Sequence, residues 1–196
     1  MSDRWLEGMI RPDSASRIGQ GPIVKLGGSL LTRACWPEEV TLLVASLTAP
    51  VIIVGGGPVV DGLRTIDTCR EQPADVMHDL AIDAMQLTAR IVAEALCLPT
   101  AVSIDSTTAG ATVLDTRAWL ARHAACARLP SGWQVTSDSI AATVAGVTGR
   151  DLLLVKSLPP PSPGQDLAAL ATAGWVDPHF PTVADRLAAI GWAAPR

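Results

Sequence analysis

Two short apolar runs, each ending in a glycine turn, constrain the fold of this chain more than any other feature. Residues 23–26 are apolar except for one lysine and are followed by two glycines, and residues 51–54 are wholly apolar and are followed by three. Continuous apolar runs of this length are typical of strands buried on both faces. Peptide N–H groups exposed at a strand end can hold a phosphate. Two such turns in a chain of this size predict a phosphoryl group held from two sides, and therefore phosphoryl transfer.

The composition indicates a globular chain with an aliphatic core. The 196 residues are enough for one domain with a sizeable core, and 48% of them are hydrophobic. Aromatic residues are scarce, with six Trp, one Phe and no Tyr, so Ala, Val and Leu must fill the interior. This composition suits buried parallel strands between helices.

Charge and cysteine patterns exclude several classes of partner. The formal net charge is −4 and no basic tract is present, so nucleic acid is not expected as a partner. No apolar run reaches the roughly 20 residues of a membrane-spanning helix, and residues 1–20 lack the apolar segment of a signal peptide. The four cysteines are scattered without CxxC spacing, which predicts reduced thiols, a cytoplasmic location and no structural metal.

The order of the predicted elements indicates an α/β fold. We predict strands near residues 22–26, 51–54, 100–104, 133–136 and 151–156, and helices over 37–47, 59–69, 73–96, 115–127, 139–147, 165–173 and 182–190. Alternation of strands and helices predicts a three-layer α/β/α sandwich with a mostly parallel sheet. We expect residues 1–20 to form a flexible N-terminal arm and residues 21–196 to form a single domain. Ligands of such sheets bind outside the carboxyl ends of the strands, where each glycine motif lies.

The first turn contains a lysine that needs an explanation. Lys25 stands inside an apolar strand, where a buried ammonium is costly without a task. In a functional interpretation Lys25 contacts a transferring phosphoryl group, Gly27 and Gly28 let the backbone approach it, and Ser29 donates a hydrogen bond. The alternative is a tight turn with a lysine that extends to solvent. Glycines 55–57 have the same two interpretations, and their entropic cost favours contact with an anion or substrate.

Three further groups each have a functional and a structural interpretation. Asp138 lies in a Thr-Ser-Asp-Ser segment, and it either caps a helix or holds a lysine ammonium in position. Lys156 ends an apolar strand, and it is either solvated or in contact with a nucleotide or a second phosphate. Asp61 and Arg64 are three residues apart on a predicted helix, and they form either part of a substrate site or a surface pair.

Two common nucleotide-binding patterns are absent from the sequence. The P-loop pattern GxxxxGK[ST] does not occur, and the dinucleotide pattern GxGxxG fails because Val60 stands at its third glycine position. The glycine turns therefore belong neither to a Walker-type enzyme nor to an ordinary Rossmann dehydrogenase.

In combination, four segments of the sequence resemble the amino acid kinase family, which includes aspartate, acetylglutamate, uridylate and isopentenyl phosphate kinases. The segments are VKLGGSLL (24–31), VIIVGGGPVVD (51–61), VTSDSIAATVAG (135–146) and LLLVKS (152–157). They occur in the family's order and cover most of residues 22–157. The resemblance implies an α/β/α sandwich that binds ATP with Mg²⁺ and transfers the γ-phosphoryl group, mostly by positioning and charge stabilisation.

The resemblance also implies roles for individual residues. Lys25 and Lys156 would be catalytic, and Asp138 would orient the lysines. Contacts with phosphate and acceptor would come from Gly27, Gly28, Ser29, Gly55, Gly56, Gly57, Asp61 and Arg64. Contacts with the nucleotide would come from Ser137, Lys156 and Ser157. No side chain is assigned as a metal ligand.

The sequence departs from the family pattern on the nucleotide side. The chain is short for the family, and the family's usual acidic residue at this strand end is replaced in Leu-Val-Lys156-Ser157. The family also has a later lysine near the nucleotide, but no lysine follows Lys156 here. Either Lys156 substitutes for the later lysine, or activity is weak or absent.

A finer resemblance suggests an acceptor. The compact size, the TSDSIA segment and the segment GWVDPHFP (174–181) resemble a small subgroup that contains the kinase of methanofuran biosynthesis and its relatives in methylotrophic bacteria. This resemblance implies a phosphorylated acceptor, which in the archaeal enzyme is aminomethylfuran-methanol phosphate. The segment 174–181 either covers the acceptor site or packs against the core.

Other functions stay open at this stage. One is a kinase that forms an acyl phosphate on a carboxylate or carbamate, and another is a non-catalytic module that binds a nucleotide or an oxyanion. We also expect a homo-oligomer, for which the apolar stripe of the predicted helix 74–96 is a candidate contact.

Overall fold

A seven-stranded sheet organises the chain in this computed structural model, which describes residues 5–11, 21–104, 110–123, 129–162 and 165–196. The strands are β1 (Trp5–Arg11), β2 (Ile23–Leu26), β3 (Val51–Val54), β4 (Thr100–Ala101), β5 (Thr112–Leu114), β6 (Leu152–Val155) and β7 (Ile190–Pro195). Their order across the sheet is β1-β7-β6-β2-β3-β5-β4. β1 runs antiparallel to β7, and the other neighbouring pairs are parallel.

Helices connect the strands and cover both faces of the sheet. In the described ranges they are α1 (Trp36–Ala45), α2 (Gly57–Cys69), α3 (Ala74–Ala95), α4 (Thr116–Arg122), α5 (Ser137–Thr148), α6 (Leu167–Thr172) and α7 (Phe180–Ala184), with a 3₁₀ turn at Gly28–Thr32. None of these helices, not even the 22-residue α3, combines the length and apolar character that a membrane span requires.

The hydrophobic core lies in two layers, one on each face of the sheet. Side chains of successive strand residues point to opposite faces. Ile53 accordingly packs in one cluster with Ile140 of α5, while its neighbour Ile52 packs in another with Leu43 of α1. The predicted three-layer α/β/α sandwich with a mostly parallel sheet is therefore confirmed.

The central strands create a crevice at their carboxyl ends. β2 pairs with β3 on one side and with β6 on the other, and Leu26 is level with both Val54 and Val155. The chain leaves β2 towards β3 and returns later on the opposite side of β2. A parallel sheet whose connections diverge in this way leaves a crevice at the point of divergence, and ligands bind there. The two glycine turns and Lys156 all follow strands that end at this crevice.

One edge of the sheet, formed by β1 and β7, differs from the sequence-based expectation. The expected flexible arm is wrong for Trp5–Arg11, which pairs along its length with β7; residues 1–4 and 12–20 lie outside the described residues. β7 itself falls where the sequence predicted no strand, because its Gly, Ala and Pro residues have little β-propensity. Its burial by β6 and β1 overrides that preference. That residues 21–196 form a single domain stays a prediction.

Three local assignments also change. Residues 133–136 form no strand, because Val135 N–H donates to Gly132 in a turn and no neighbouring strand pairs with them. β5 was missed because it is only three residues long. The last predicted helix, 182–190, is replaced by the shorter α7 and by the start of β7. The end of the helix predicted to reach residue 127 lies outside the described residues.

Candidate active site

A cavity of about 280 Å³ opens at the crevice between the ends of β2, β3 and β6. Twelve of the thirteen residues that the sequence analysis singled out line it: Lys25, Gly27, Gly28, Ser29, Gly55, Gly56, Gly57, Asp61, Arg64, Ser137, Lys156 and Ser157. The thirteenth, Asp138, lies directly behind the two lysines. The structure thus brings all the predicted positions together, and their individual roles stay predictions.

The two glycine turns touch each other through their backbones. A Cβ atom added at Gly28 would lie 2.3 Å from the carbonyl oxygen of Gly55 and 2.3 Å from the amide nitrogen of Gly57. Gly57 also has a φ of +51°, a conformation that side chains disfavour. Thr88 of α3 donates to the carbonyl of Gly55 at 3.1 Å and holds this turn from behind. The presence of glycine in the two turns is therefore explained in part by this close contact between their backbones.

Both lysines of the chain meet on one carboxylate. The sequence contains only two lysines, and Nζ of Lys25 lies 2.9 Å from Oδ1 of Asp138 while Nζ of Lys156 lies 2.6 Å from Oδ2. Asp138 is in the first turn of α5 and is 4% exposed. Two cations share one anion, so the group has a net positive charge next to the cavity. Such a site favours an anionic ligand.

Lys156 is held from several directions. Besides Asp138, its ammonium donates to the backbone carbonyl of Trp175 and lies 5.5 Å from the centre of the Trp192 ring. These contacts come from α5, from the segment between α6 and α7, and from β7. The alternative in which Lys156 is a solvated lysine at a strand end is therefore wrong, because its side chain is only 12% exposed.

Burial and mutual charge shift the titration of this cluster. Burial by itself would raise the pKa of Asp138, but the charges of Lys25 and Lys156 and their hydrogen bonds hold that pKa below its ordinary value. Burial and the charge of Lys25 lower the pKa of Lys156 to about 8, against the opposing effects of Asp138 and Asp177. Asp138 is therefore ionised at neutral pH, and Lys156 loses its charge in a mildly alkaline range.

The start of α5 is fixed by an aspartate that the sequence analysis did not single out. Thr136 caps the helix by accepting from the N–H of Asp138 at 3.3 Å. The buried carboxylate of Asp177 accepts from Thr136 and Ser139, through backbone N–H and side-chain hydroxyl in both cases. The segment 174–181 thus packs against the core while its Trp175 lines the cavity. The sequence shows an aspartate before Pro-His-Phe, but it does not show that this side chain bonds to residues about 40 positions earlier.

The far wall of the cavity comes from α2, α3 and the residues before α5. Arg64 pairs with Asp61 at 3.0 Å and lies 5.1 Å from the centre of the Trp133 ring, while Trp133 donates to Asp67 at 2.8 Å. Asp61 and Arg64 are thus an exposed i,i+3 pair and line the cavity at the same time. His78 also lines the cavity, and Trp133 is a wall residue that the sequence analysis assigned to a strand.

Three serines also line the cavity. The sequence analysis predicts that Ser137 and Ser157 contact the nucleotide and that Ser29 contacts phosphate and acceptor. Ser29 follows β2 and Ser157 follows β6, and their hydroxyl oxygens are 3.3 Å apart. Ser137 is buried, and its Oγ would lie 2.8 Å from a Cβ added at Gly55. Three hydroxyl groups are therefore available near the lysine pair. Among the described residues, no group of three or more His, Cys, Asp or Glu side chains is arranged to hold a metal ion.

The fold is that of known kinases of small molecules. The uridylate kinase of Archaeoglobus fulgidus is similar, with a TM-score of 0.58 and 13% identity over 88% of this chain and 90% of that one. The UMP kinase of Ureaplasma parvum has a TM-score of 0.51 and 14% identity over 74% and 70% of the two chains. The aspartate kinase of Synechocystis has a TM-score of 0.56 and 15% identity over 89% of this chain and 40% of its own.

These comparisons define the fold class. The chain has an amino acid kinase fold, as its four segments predicted. No protein-family model matches the sequence, and none of the curated proteins compared with it matches it significantly. Because the identities to the solved structures are low, the likeness establishes the fold, and activity has to be argued from the site.

Replacing the shared carboxylate should destabilise the protein strongly. We expect Asp138→Asn to lower the free energy of unfolding by roughly 3 kcal/mol or more at pH 7, because it leaves two buried ammonium groups without their counter-ion. Urea unfolding followed by tryptophan fluorescence measures this change. Asp61→Asn is the matched control, since it removes an exposed ion-pairing carboxylate and should change stability by about 0.5 kcal/mol or less. Equal small losses for the two variants would contradict this account of the cluster.

Proposed function

We propose that this protein is an ATP-dependent phosphotransferase that transfers the γ-phosphoryl group to a small phosphate-bearing acceptor. The observation that carries the proposal is the convergence of the chain's two lysines on buried Asp138, beside two glycine turns in mutual contact. The fold similarity to two UMP kinases and an aspartate kinase supports the same class of reaction.

The side chains present can stabilise a transferring phosphoryl group without forming a covalent intermediate. In phosphoryl transfer, negative charge spreads over the oxygens of the group between donor and acceptor. The ammonium groups of Lys25 and Lys156 would balance that charge. Those N–H groups of the glycine turns that do not already donate to β6 or β2 would bind the flanking phosphates. Asp138 would keep both ammonium groups in place before the substrates arrive, so that little reorganisation is needed during the reaction.

Lys156 would perform the role of the lysine that the amino acid kinase family has later in the sequence, near the nucleotide. It comes from β6, next to β2 in the sheet, and reaches the same carboxylate as Lys25 from the other side. This geometry supports substitution over the alternative of an inactive relative that retains only the scaffold. A non-catalytic module would not need to keep two buried cations on a single carboxylate, which is a costly arrangement.

The residues present also fit ATP with Mg²⁺. The nucleotide would lie on the side of Ser29, Ser137 and Ser157, with its phosphates towards the lysines. Mg²⁺ would supply positive charge that offsets part of the negative charge of the phosphates. The carboxylates of Asp138 and Asp61 are already paired with cations, so we infer that the ion would be held chiefly by the phosphates of the nucleotide.

The acceptor end suits a small apolar or aromatic body. Its wall is formed mostly by Val60, Ala81, Ile82, Met85, Trp133 and Val135, with Arg64 and His78 as its basic groups. An acceptor rich in hydroxyl groups would leave many of them without partners against such a wall. Aminomethylfuran-methanol phosphate has a flat ring and one phosphate, so it is our leading candidate, and its product would be a diphosphate. A carboxylate or carbamate acceptor remains the alternative within the kinases.

The test is turnover of ATP and Mg²⁺ with a panel of acceptors. We expect activity with ring-bearing phosphomonoesters such as furfuryl and benzyl phosphate, and much less with sugar phosphates or UMP. Lys25→Ala should reduce kcat by about 100-fold or more, since a charge opposite the transferring group is lost. Arg70→Ala, which removes an exposed cation outside the cavity, should leave kcat unchanged.

Three outcomes would redirect the assignment. A product trapped by hydroxylamine would point to an acyl phosphate and so to the alternative kinase. Binding of ATP without turnover of any acceptor would favour the non-catalytic module. Unchanged turnover in Lys25→Ala would remove the catalytic role of that lysine.

The rate should fall as pH rises through about 8. Lys156 has a lowered pKa of about 8, so its ammonium is present below that pH and lost above it. In Lys156→Arg the guanidinium stays charged throughout, and the fall in kcat/KM near pH 8 should disappear even if the maximal value is lower. A pH profile of kcat/KM for ATP from 6 to 10 for both proteins checks this, because kcat/KM reports the groups of the free enzyme. The same alkaline fall in both would assign it to another group.

We also propose that α3 forms a two-fold contact between copies of this chain. Val76, Leu80, Leu87 and Ile91 are each 41–54% exposed and form a stripe on the helix face opposite its buried side. Their spacing of four, seven and four residues reads the same in both directions. An antiparallel pairing of two α3 helices would therefore set Leu80 against the partner's Leu87 and Val76 against the partner's Ile91.

Charge complementarity supports this pairing. Arg90 and Asp79 lie on one flank of the stripe, three helical turns apart, so that Arg90 would face the partner's Asp79, a carboxylate that also lies 3.8 Å from Arg117 of its own chain. We expect a dimer by light scattering, and Leu80→Glu with Leu87→Glu should convert it to a monomer. Leu42→Glu, at an equally exposed leucine on α1, should not. A monomeric parent protein would exclude this contact.

A further inference from the structure

Asp177 lies in the segment between α6 and α7 and is buried, with 6% of its surface exposed. Its carboxylate accepts from the backbone N–H of Thr136 at 2.9 Å and of Ser139 at 3.0 Å, and from their hydroxyl groups at 2.8 and 2.5 Å. On the other side it accepts from the N–H groups of His179 at 3.1 Å and Phe180 at 2.9 Å. A buried carboxylate with this many donors is held rigidly.

These donors belong to the two pieces of the chain that hold Lys156. The first piece is the beginning of α5, which carries Asp138, the partner of Lys156 at 2.6 Å. The second is the segment that carries Trp175, whose carbonyl accepts from the same ammonium. Asp177 is two residues beyond Trp175 and ties that segment to α5. Both contacts of Lys156 therefore depend on one carboxylate that does not itself form a hydrogen bond to the lysine.

The electrostatic surroundings of Lys156 agree with this arrangement. The charged groups facing it are Lys25 from β2, Asp138 from α5 and Asp177 from the segment before α7, with the Trp192 ring on the β7 side. The negative charge of Asp177 raises the pKa of Lys156, which burial and Lys25 lower. Asp177 thus acts on Lys156 in two ways, through the structure that it holds together and through its charge. When Asp177 is neutralised, loss of the structure should raise the pKa of Lys156, and loss of the charge should lower it.

We propose that Asp177 is a positioning residue, which fixes the ammonium of Lys156 between Asp138 and the carbonyl of Trp175 and so directs it into the cavity. The catalytic consequence rests on the proposed function, but the positioning of the lysine does not. Asp177 is not a catalytic residue, because it acts through α5 and the Trp175 segment.

The two-lysine composition makes a direct test feasible. In protein labelled at lysine with ¹⁵N at Nζ or ¹³C at Cε, the spectrum has one side-chain signal from Lys25 and one from Lys156, and Lys25→Arg assigns them. A pH titration should give the Lys156 amine a pKa of about 8 in the parent protein. In Asp177→Asn the clamp opens and water reaches the amine, so that this pKa should rise towards the ordinary lysine value of about 10.4.

The outcome in Asp177→Asn decides between positioning and charge. A lower or unchanged pKa would mean that opening of the clamp does not outweigh the loss of the Asp177 charge, and either result overturns the proposal. Asp115→Asn is the matched control, because Asp115 caps α4 by accepting from the N–H of Ala118 at 2.8 Å. It should leave the Lys156 pKa where it is.

A second variant keeps the test valid if Asp177→Asn does not fold. Ser139→Ala removes one hydroxyl donor and leaves the charge of Asp177 in place. It should raise the pKa of the Lys156 amine by a smaller amount, and an unchanged or lower value counts against the proposal. The titration needs no substrate. If the proposed function fails but the positioning role holds, turnover will be absent while Asp177→Asn still raises the pKa of Lys156.

Discussion

The sharing of one buried carboxylate by two lysines is the interaction on which the site depends. Burying Lys25 and Lys156 is tolerable only because Asp138 compensates their charge, and Asp138 stays ionised only because both lysines face it. The three residues come from β2, β6 and α5, so the cluster also links the middle of the sheet to the helix that covers it. One positive charge remains in excess, and it lies beside the cavity.

The glycine turns illustrate how packing and binding use the same residues. Gly28 and Gly57 bring the ends of β2 and β3 into backbone contact, which closes the space behind the cavity. That contact needs glycine even without a ligand, because any side chain would overlap the opposite turn. The N–H groups of Gly27 and Gly55 already donate to backbone carbonyls, so an anion would bind to the remaining glycine N–H groups. Selection for the fold and selection for anion binding would therefore be indistinguishable at these positions.

The parts of the structure that follow from local pattern could be predicted from the sequence. Lys25 in its apolar strand and the glycines after residues 26 and 54 signalled the central strands and the location of the site. The parts that depend on distant partners could not be predicted. β7 is a strand because β1 and β6 flank it, despite its Gly, Ala and Pro residues. Asp177 is important because of Thr136 and Ser139, about 40 residues away.

The pairing of β1 with β7 has a consequence for how the protein acquires its site. Trp5 lies opposite Pro195, so this edge of the sheet joins segments separated by almost the whole sequence, and contacts of such high sequence separation form slowly. The β7 strand also carries Trp192, which lies against Lys156. During synthesis, the earlier strands can assemble with their glycine turns before residues 190–195 have been made. The nascent protein would thus acquire its sheet first and the complete surroundings of Lys156 last.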